Sequence, residues 1–281
     1  MISIFLQGGL GNQLFQIATV IAYSIENKKR CLFTYDEILH AETPRQTYWD
    51  NLLKKCKALT NYNSSFVSNN NILSLPKFKE PYFHYVKIPD MNNVIFLGYF
   101  QSYKYFDHLK DKVLDIMGVY EHHNIIKNKF ELIYKNKVIC MHFRLGDYKT
   151  KQDYHNILPY EYYKNSLEYL STIINLNDYS ICYLCEKEDN KTIVKITEKL
   201  QKNFDLDTFH KIDDEIEDWQ QMLFMSCCNI NIIANSSFSW WAAYINRHTD
   251  KTVLYPQQWF GPKMNVNTND LFPDNWVKIK F

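Results

Sequence analysis

The sequence has no run of about 18 apolar residues, so no segment reads as a transmembrane helix. It has no charge bias either. With 32 basic and 31 acidic residues the formal net charge is +1, which leaves no electrostatic footprint for nucleic acid. There is no cysteine framework: seven Cys is an odd count at unpatterned spacings, as expected of reduced thiols. Cys182-Tyr-Leu-Cys185 has CxxC spacing, but it falls in a predicted strand where positions i and i+3 face opposite sides. No second CxxC or His pair completes a zinc site. No internal repeat and no low-complexity stretch is present, and neither GxGxxG nor a P-loop occurs. The first predicted strand begins at Ile2, which leaves no room for a charged n-region, an apolar h-region and a cleavage site. A soluble, cytoplasmic protein is the expectation.

What is present is apolar and aromatic. The 281 residues are 46% apolar and 16% aromatic, which excludes disorder and allows one large domain or two medium ones. Many of the rings must be core, yet some can offer faces to sugars or bases.

The apolar run Val138-Ile-Cys-Met141 reads as a central strand of an α/β sheet, opening into His142-Phe-Arg144-Leu-Gly-Asp147-Tyr148. Ligands of such sheets bind beyond the carboxyl ends of the strands, where His142, Arg144 and Asp147 would sit. A fixed guanidinium before a Gly-Asp turn suits a phosphate or pyrophosphate. An Arg144–Asp147 ion pair closing the loop is the plainer alternative. At the start of the chain, Ile2–Leu6 reads as a buried strand, followed by Gln7-Gly8-Gly9-Leu-Gly11-Asn12-Gln13 and a helix to about Asn27 with one buried stripe. Strand, glycine turn and helix let backbone N–H groups approach a ligand, although Gly8, Gly9 and Gly11 could serve only to permit a tight turn.

Further strands are expected at Arg30–Tyr35, Val94–Leu97, Tyr179–Leu184, Phe204–Phe209, Asn229–Ala234 and Thr252–Tyr255, the last of them. Helices are expected at Phe106–Met117, 124–135, Pro159–Ile174, Asn190–Lys202, Glu217–Cys227 and Trp240–Arg247. Residues 36–93 carry little pattern. Alternating strands and helices in both halves predict two doubly wound α/β domains, 1–125 and 126–281, with the boundary in 118–136. In the second, Asn235-Ser236-Ser237-Phe238-Ser239 turns into a helix, so hydroxyls and N–H groups could meet an anion there. An ordinary Ser N-cap would look the same.

Four blocks together resemble the α-1,2-fucosyltransferases of the GDP-fucose-dependent superfamily. They are Gly8-Gly-Leu-Gly-Asn-Gln13-Leu-Phe-Gln16, Leu97-Gly-Tyr-Phe-Gln-Ser102 through Phe106, His142-Phe-Arg144-Leu-Gly-Asp147-Tyr148, and Ile232 through Ala243. They stand in the family's order and span nearly the whole chain. The resemblance implies a GT-B-like architecture of two Rossmann-like domains facing a cleft, the first on the acceptor side and the second holding the nucleotide sugar. It implies metal-independent, inverting transfer of L-fucose from GDP-β-L-fucose to a hydroxyl of an acceptor glycan, with an α-1,2 linkage to galactose, and no cofactor. Carried onto this sequence, Arg144 would hold the β-phosphate, His142 and Asp147 would lie at the nucleotide, and Ser236, Ser237 and Phe238 would complete the pyrophosphate cradle. Asn12, behind Gly8, Gly9, Gly11 and beside Gln13, would face the reacting centre.

Two departures bear on donor preference. The family's second Arg is Leu145 here, and the acidic residue expected fourteen positions before Asn235 is Gln221. Glu217 or Asp218, one helical turn earlier, could read the guanine edge instead. Cys185-Glu186-Lys187 stands where the family tends to have Ser-Asp-Asp. Another GDP-deoxyhexose, such as a rhamnose donor, and a non-catalytic glycan- or nucleotide-binding relic are the competing readings. For a general base, Asp36, Glu42 and Asp50 are available, with nothing to choose among them.

Overall fold

A computed structural model describes residues 1–39, 44–131, 135–207 and 209–281. Glu42 and residues 132–134, near the carboxyl end of the helix expected at 124–135, lie outside them. The chain forms two compact units. One is Met1–His122 with Val266–Pro273, and the other is His123–Asn265 with Asp274–Phe281. Both are α/β and built on parallel sheets, a GT-B-like fold.

The first unit contains β1 (Ile2–Ile4), α1 (Leu10–Glu26), β2 (Ile38–Leu39), β3 (Arg45–Gln46), α2 (Asn69–Leu73), β4 (Lys77–Lys79), β5 (Val94–Leu97) and α3 (Lys110–Met117). Its main sheet runs β1-β5-β4 with every pair parallel, while β2 and β3 form an antiparallel ribbon. The expected strand at Arg30–Tyr35 shrinks to isolated bridges, Ile2 to Cys31 and Phe33 to Thr60. At the opposite edge of the sheet, beside β5, β4 emerges from the unpatterned stretch, because Lys77-Phe-Lys79 pairs with a buried neighbour rather than burying itself. Helix α1 also corrects the sequence reading. It is buried from Leu10 almost continuously to Ser24, not along one stripe, so its polar Gln13, Gln16, Thr19 and Ser24 sit inside the fold. The segment Val266–Pro273 is fastened to this unit by Ser102, whose hydroxyl donates to the Asp270 carbonyl at 2.7 Å.

The second unit contains α4 (His123–Lys129), β6 (Lys137–His142), α5 (Tyr160–Ser171), β7 (Tyr179–Leu184), α6 (Asn190–Phe204), β8 (His210–Lys211), α7 (Asp218–Ser226), β9 (Ile230–Ile232), α8 (Ser237–Ile245), β10 (Thr252–Pro256) and β11 (Val277–Ile279). Its six-stranded sheet has the order β11-β10-β9-β6-β7-β8, all parallel. Strand β6 is central and buried on both faces from Val138 to His142, as its unbroken apolar run requires. Ile139, Met141 and Phe143 pack against Tyr163, Leu167 and Leu170 of α5. The strand expected at Phe204–Phe209 is replaced by the end of α6, which closes with Asp205 in the left-handed region at φ +51°, and the ladder begins only at His210. The C-terminal β11 was not foreseen, since three residues with a lysine between two apolar ones carry almost no periodic signal. Among the described residues, no helix is long and apolar enough to cross a membrane.

Candidate active site

In the second unit, parallel strands end together on one edge of the sheet, and the loops there carry most of the chemistry. Arg144 follows β6 and Glu186 follows β7, its neighbour in the ladder. The Arg144 guanidinium pairs with Glu186 and, at 2.5 Å, with Asp147. Its carbon also lies 5.2 Å over the Tyr148 ring. Burial acts to lower the guanidinium's pKa, but Glu186, Tyr148 and Asp147 together raise it above its ordinary value, so Arg144 is a permanent cation. Lys149 adds a second positive charge against the fully buried Asp189, which also accepts the Gly146 N–H at 2.9 Å. Gly146 sits at φ +37°, and a Cβ there would strike the Glu186 carboxylate.

The turn before α8 joins this edge. The Tyr148 hydroxyl donates to the Asn235 carbonyl at 3.1 Å, and the His142 ring lies 5.2 Å from that of Phe238. Ser236 caps α8, its hydroxyl accepting from the Phe238 N–H at 3.3 Å. Ser237 begins the helix, where the first-turn N–H groups present the positive end of the dipole. Asn235 is spent on structure: its amide donates to the Asn156 and Trp259 carbonyls at 2.8 and 3.1 Å. Trp240 and Trp241 are fully buried packing residues. Burial, with a smaller contribution from Arg144, pushes the pKa of His142 down to about 3. The imidazole is therefore neutral, and its Nδ1 is buried without a hydrogen-bond partner among the described residues. His142, Arg144, Asp147, Ser236 and Phe238 are thus gathered on one edge.

Leu145 accounts for one departure from the family pattern. It is buried in the same apolar cluster as Phe143 and Tyr163, so the chain carries a core residue where a second guanidinium would stand. At the amino end of α7, Asp218 accepts the Trp219 N–H at 2.7 Å and Glu217 accepts the Trp219 indole N–H at 2.6 Å. Gln221 turns back to donate to the Ile216 carbonyl at 2.8 Å.

Glu186, Glu188 and Asp189 have carboxylate oxygens within 4.8 Å of one another, as a metal site would require. Arg144 and Lys149 already lie against two of the three. The sequence contains an Asp-x-Asp spacing, Asp205-Leu-Asp207, which follows the carboxyl end of α6 and precedes β8. That places it at the amino edge of a parallel sheet, opposite the Arg144 loop.

The first unit positions the glycine-loop residues. Gly8 adopts φ +81°, and a Cβ there would collide with the Asn12 amide. Gly9 is the extended N-cap of α1, and Gly11 is buried in its first turn. The Asn12 side-chain Oδ1 accepts from the Gln101 side-chain amide at 2.8 Å. Gln13 is buried and donates to the Gly8 and Gln46 carbonyls at 3.0 and 2.9 Å, closing the loop against β3. Gln16 donates to the Gly98 carbonyl at 3.0 Å. Two of the four sequence blocks are therefore bonded to each other.

Sequence reasoning singled out neither Lys149 nor Asp189. Nor did it notice Glu80 in the first unit, which has no sequence signal beyond standing after a lysine-flanked strand.

The profile of the family described as "Glycosyl transferase family 11" matches residues 1–280. The O-antigen biosynthesis glycosyltransferase WbnK of Escherichia coli is 28% identical over 98% of this chain and 99% of its own. An α-1,2-colitosyltransferase of Escherichia coli is 24% identical over 98% of this chain and 97% of its own. A galactoside 2-α-L-fucosyltransferase of Caenorhabditis elegans is 24% identical over 99% of this chain and 79% of its own. The crystal structure of a glycosyl transferase family 9 protein from Veillonella parvula superposes with a TM-score of 0.51 at 8% identity, covering 100% of this chain and 85% of that one.

Proposed function

The chain belongs to glycosyl transferase family 11, and from that membership we propose that it transfers L-fucose from GDP-β-L-fucose to a sugar hydroxyl of an acceptor glycan, inverting the anomeric centre and forming an α-1,2 linkage to galactose. The observation that carries the donor half is Arg144 at the carboxyl edge of the parallel sheet, beside the Ser236–Phe238 turn. As the glycosidic bond breaks, negative charge grows on the β-phosphate. A guanidinium can meet two of its oxygens at once, and the N–H groups opening α8 meet others. Ser236 and Ser237 supply hydroxyls, Phe238 supplies its amide, and the neutral His142 contacts the nucleotide. Asp147 orients the guanidinium, and Asp218 reads the guanine edge. Asn12, held by Gln101, works on the acceptor side in the first unit.

In this reading no metal ion takes part. The Arg144 guanidinium, with the helix N–H groups, does the neutralising that a divalent ion would otherwise do, while Lys149 stays paired with Asp189. A second donor has support of its own. One relative is named for colitosyl transfer, and Leu145 and Gln221 depart from the pattern of the fucose-dependent enzymes. The deciding experiment is product analysis after incubation with GDP-fucose and a panel of β-galactosides, beside calorimetric titration with GDP. A fucosylated galactoside is the expected product. Tight GDP binding with neither donor hydrolysis nor transfer would favour a non-catalytic relic.

A further inference from the structure

In the first unit β1, β5 and β4 run parallel and end on the same edge, and each leads into a loop that bears an exposed ring. These are Phe5 after β1, Tyr99 after β5 and Tyr82 after β4. Tyr82 is stacked on His84 with ring centroids 5.1 Å apart. Exposed rings beside polar groups, on the edge where parallel sheets take ligands, suit the C–H faces of a pyranose.

Glu80 stands among these loops. Its N–H donates to the Leu97 carbonyl at 2.8 Å, and its Oε2 accepts the Tyr99 N–H at 2.8 Å. The Phe100 N–H is a second backbone donor to the carboxylate. Oε1 is buried and has no hydrogen-bond partner among the described residues, although the residue as a whole keeps some exposure. Gly98, at φ +154°, makes the room: a Cβ there would strike the Glu80 side chain. The same loop reaches the glycine turn through Gln101 on Asn12. Burial pushes the Glu80 pKa up to about 7 against the pull of the two backbone donors. The titratable groups around it are the phenols of Tyr99 and Tyr105, both raised by burial, with Asp270 acting on Tyr105 and Lys104 paired to Asp270.

We propose that Glu80 is the general base of the transfer, its Oε1 taking the proton of an acceptor sugar hydroxyl seated on this edge of the first unit. The assignment rests on the glycosyl-transfer reading above. The acceptor O–H bond breaks and its proton passes to Oε1. The freed electron pair on oxygen forms the bond to the donor's anomeric carbon, and the anomeric C–O bond breaks with its pair leaving on the nucleoside diphosphate. Glu80, now a neutral acid, returns the proton to water. An oxygen left without a donor gains one when the hydroxyl arrives, and a base that titrates near the working pH is in the effective range.

The test compares wild type with Glu80→Gln and Glu80→Asp, using GDP-fucose and methyl β-galactoside from pH 5.5 to 9. Glu80→Gln should keep its melting temperature and GDP affinity, lose on the order of a hundredfold or more in kcat, and lose the acidic limb of the pH profile. Glu80→Asp should recover part of the rate with the limb displaced. Saturation-transfer NMR with methyl β-galactoside and no donor reads the acceptor site alone, and Glu80→Ala should weaken that signal. Near-wild-type transfer with an unchanged limb in Glu80→Gln would overturn the proposal, as would unfolding of both Gln and Asp variants. Unaltered galactoside binding in Glu80→Ala would also count against it. Failure of the wild type to bind GDP would count against the functional reading instead, because that arm reports on the second unit.

Discussion

Arg144 and Glu186 are 42 residues apart in sequence, yet their side chains form an ion pair across the carboxyl ends of adjacent strands. The pair fixes the guanidinium before any ligand arrives, and Asp147 holds it from the other side. Arg144 is therefore part of a local charge network as well as the residue proposed to hold the phosphate. The plainer Arg–Asp reading of this loop and the phosphate reading describe the same geometry, so variants have to separate them.

Arg144→Lys should fail almost as badly as Arg144→Ala. A lysine ammonium is a point charge and cannot reproduce a bidentate grip, and Leu145 lies in the core and cannot stand in. Loss of one preorganised donor costs about 3 kcal/mol of transition-state stabilisation, roughly a hundredfold in kcat. Both partners keep some solvent exposure, so breaking their pair should cost at most about 1 kcal/mol of stability. Turnover is to be measured beside melting temperature. Wild-type turnover in Arg144→Lys would remove Arg144 from the mechanism, and unfolding of both variants would make it structural.

Activity should survive EDTA. Two of the three clustered carboxylates, Glu186 and Asp189, already face cations of the protein, and Asp205-Leu-Asp207 lies at the wrong edge of the sheet. Turnover abolished by chelator and restored by Mg²⁺ or Mn²⁺ would mean that the acidic cluster binds metal.

Sequence patterns conveyed the second unit better than the first, for a physical reason. Strand β6 and helix α6 bury long periodic faces, such as Ile193, Thr197 and Leu200, that leave a repeat in the chain. Strand β4 has a lysine at each end and β11 has one at its centre, so both take their place from a neighbouring strand. Site residues were legible where they stood in a motif, as with Arg144 and Ser236. Glu80 was not, because its environment is assembled by Gly98, Tyr99 and Phe100 from the next strand's loop. Burial of the polar face of α1 was invisible too, since Gln13 and Gln16 find partners only in folded loops.

The protein should prefer GDP to UDP. Glu217 and Asp218 both stand at the amino end of α7, accepting the Trp219 indole and backbone N–H groups, and Asp218 is the carboxylate proposed above to accept from the guanine N1–H and N2–H₂. Thermal-shift titration should show larger stabilisation by GDP, reduced in Asp218→Asn and little altered in Gln221→Ala. Equal shifts with UDP and GDP would refute the guanine assignment.

His142 predicts a signed pH dependence of stability. Its folded pKa is depressed to about 3 from an ordinary 6.5, so below pH 6.5 the unfolded chain binds a proton that the folded chain refuses. The native state is favoured above pH 6.5, and that contribution is lost as pH falls toward 3. A neutral replacement of similar shape, His142→Gln, should flatten this part of the curve. Denaturant midpoints for both proteins between pH 4 and 7.5 are the measurement. Parallel curves would show that burial of the imidazole is not what resists protonation.

Gly8 and Gly9 are adjacent, yet alanine should separate them sharply. At Gly8 the backbone is at φ +81°, and a new Cβ would run into the Asn12 amide. Strain of this kind costs of the order of 1–3 kcal/mol, and relief by moving Asn12 would break its bond to Gln101. At Gly9, φ is −76° in extended backbone and nothing lies within 4 Å of the added carbon. The cost there is only that of replacing a glycine N-cap by alanine, on the order of 1 kcal/mol, most of it offset by the smaller unfolded-state entropy of alanine. Gly8→Ala should thus lose both melting temperature and transfer activity, whereas Gly9→Ala should keep the first almost intact. If Gly9→Ala then retains stability but loses activity, a ligand approaches the backbone closely at that residue. If it retains both, the glycine pair serves the turn, and Asn12 alone carries the chemistry of this loop.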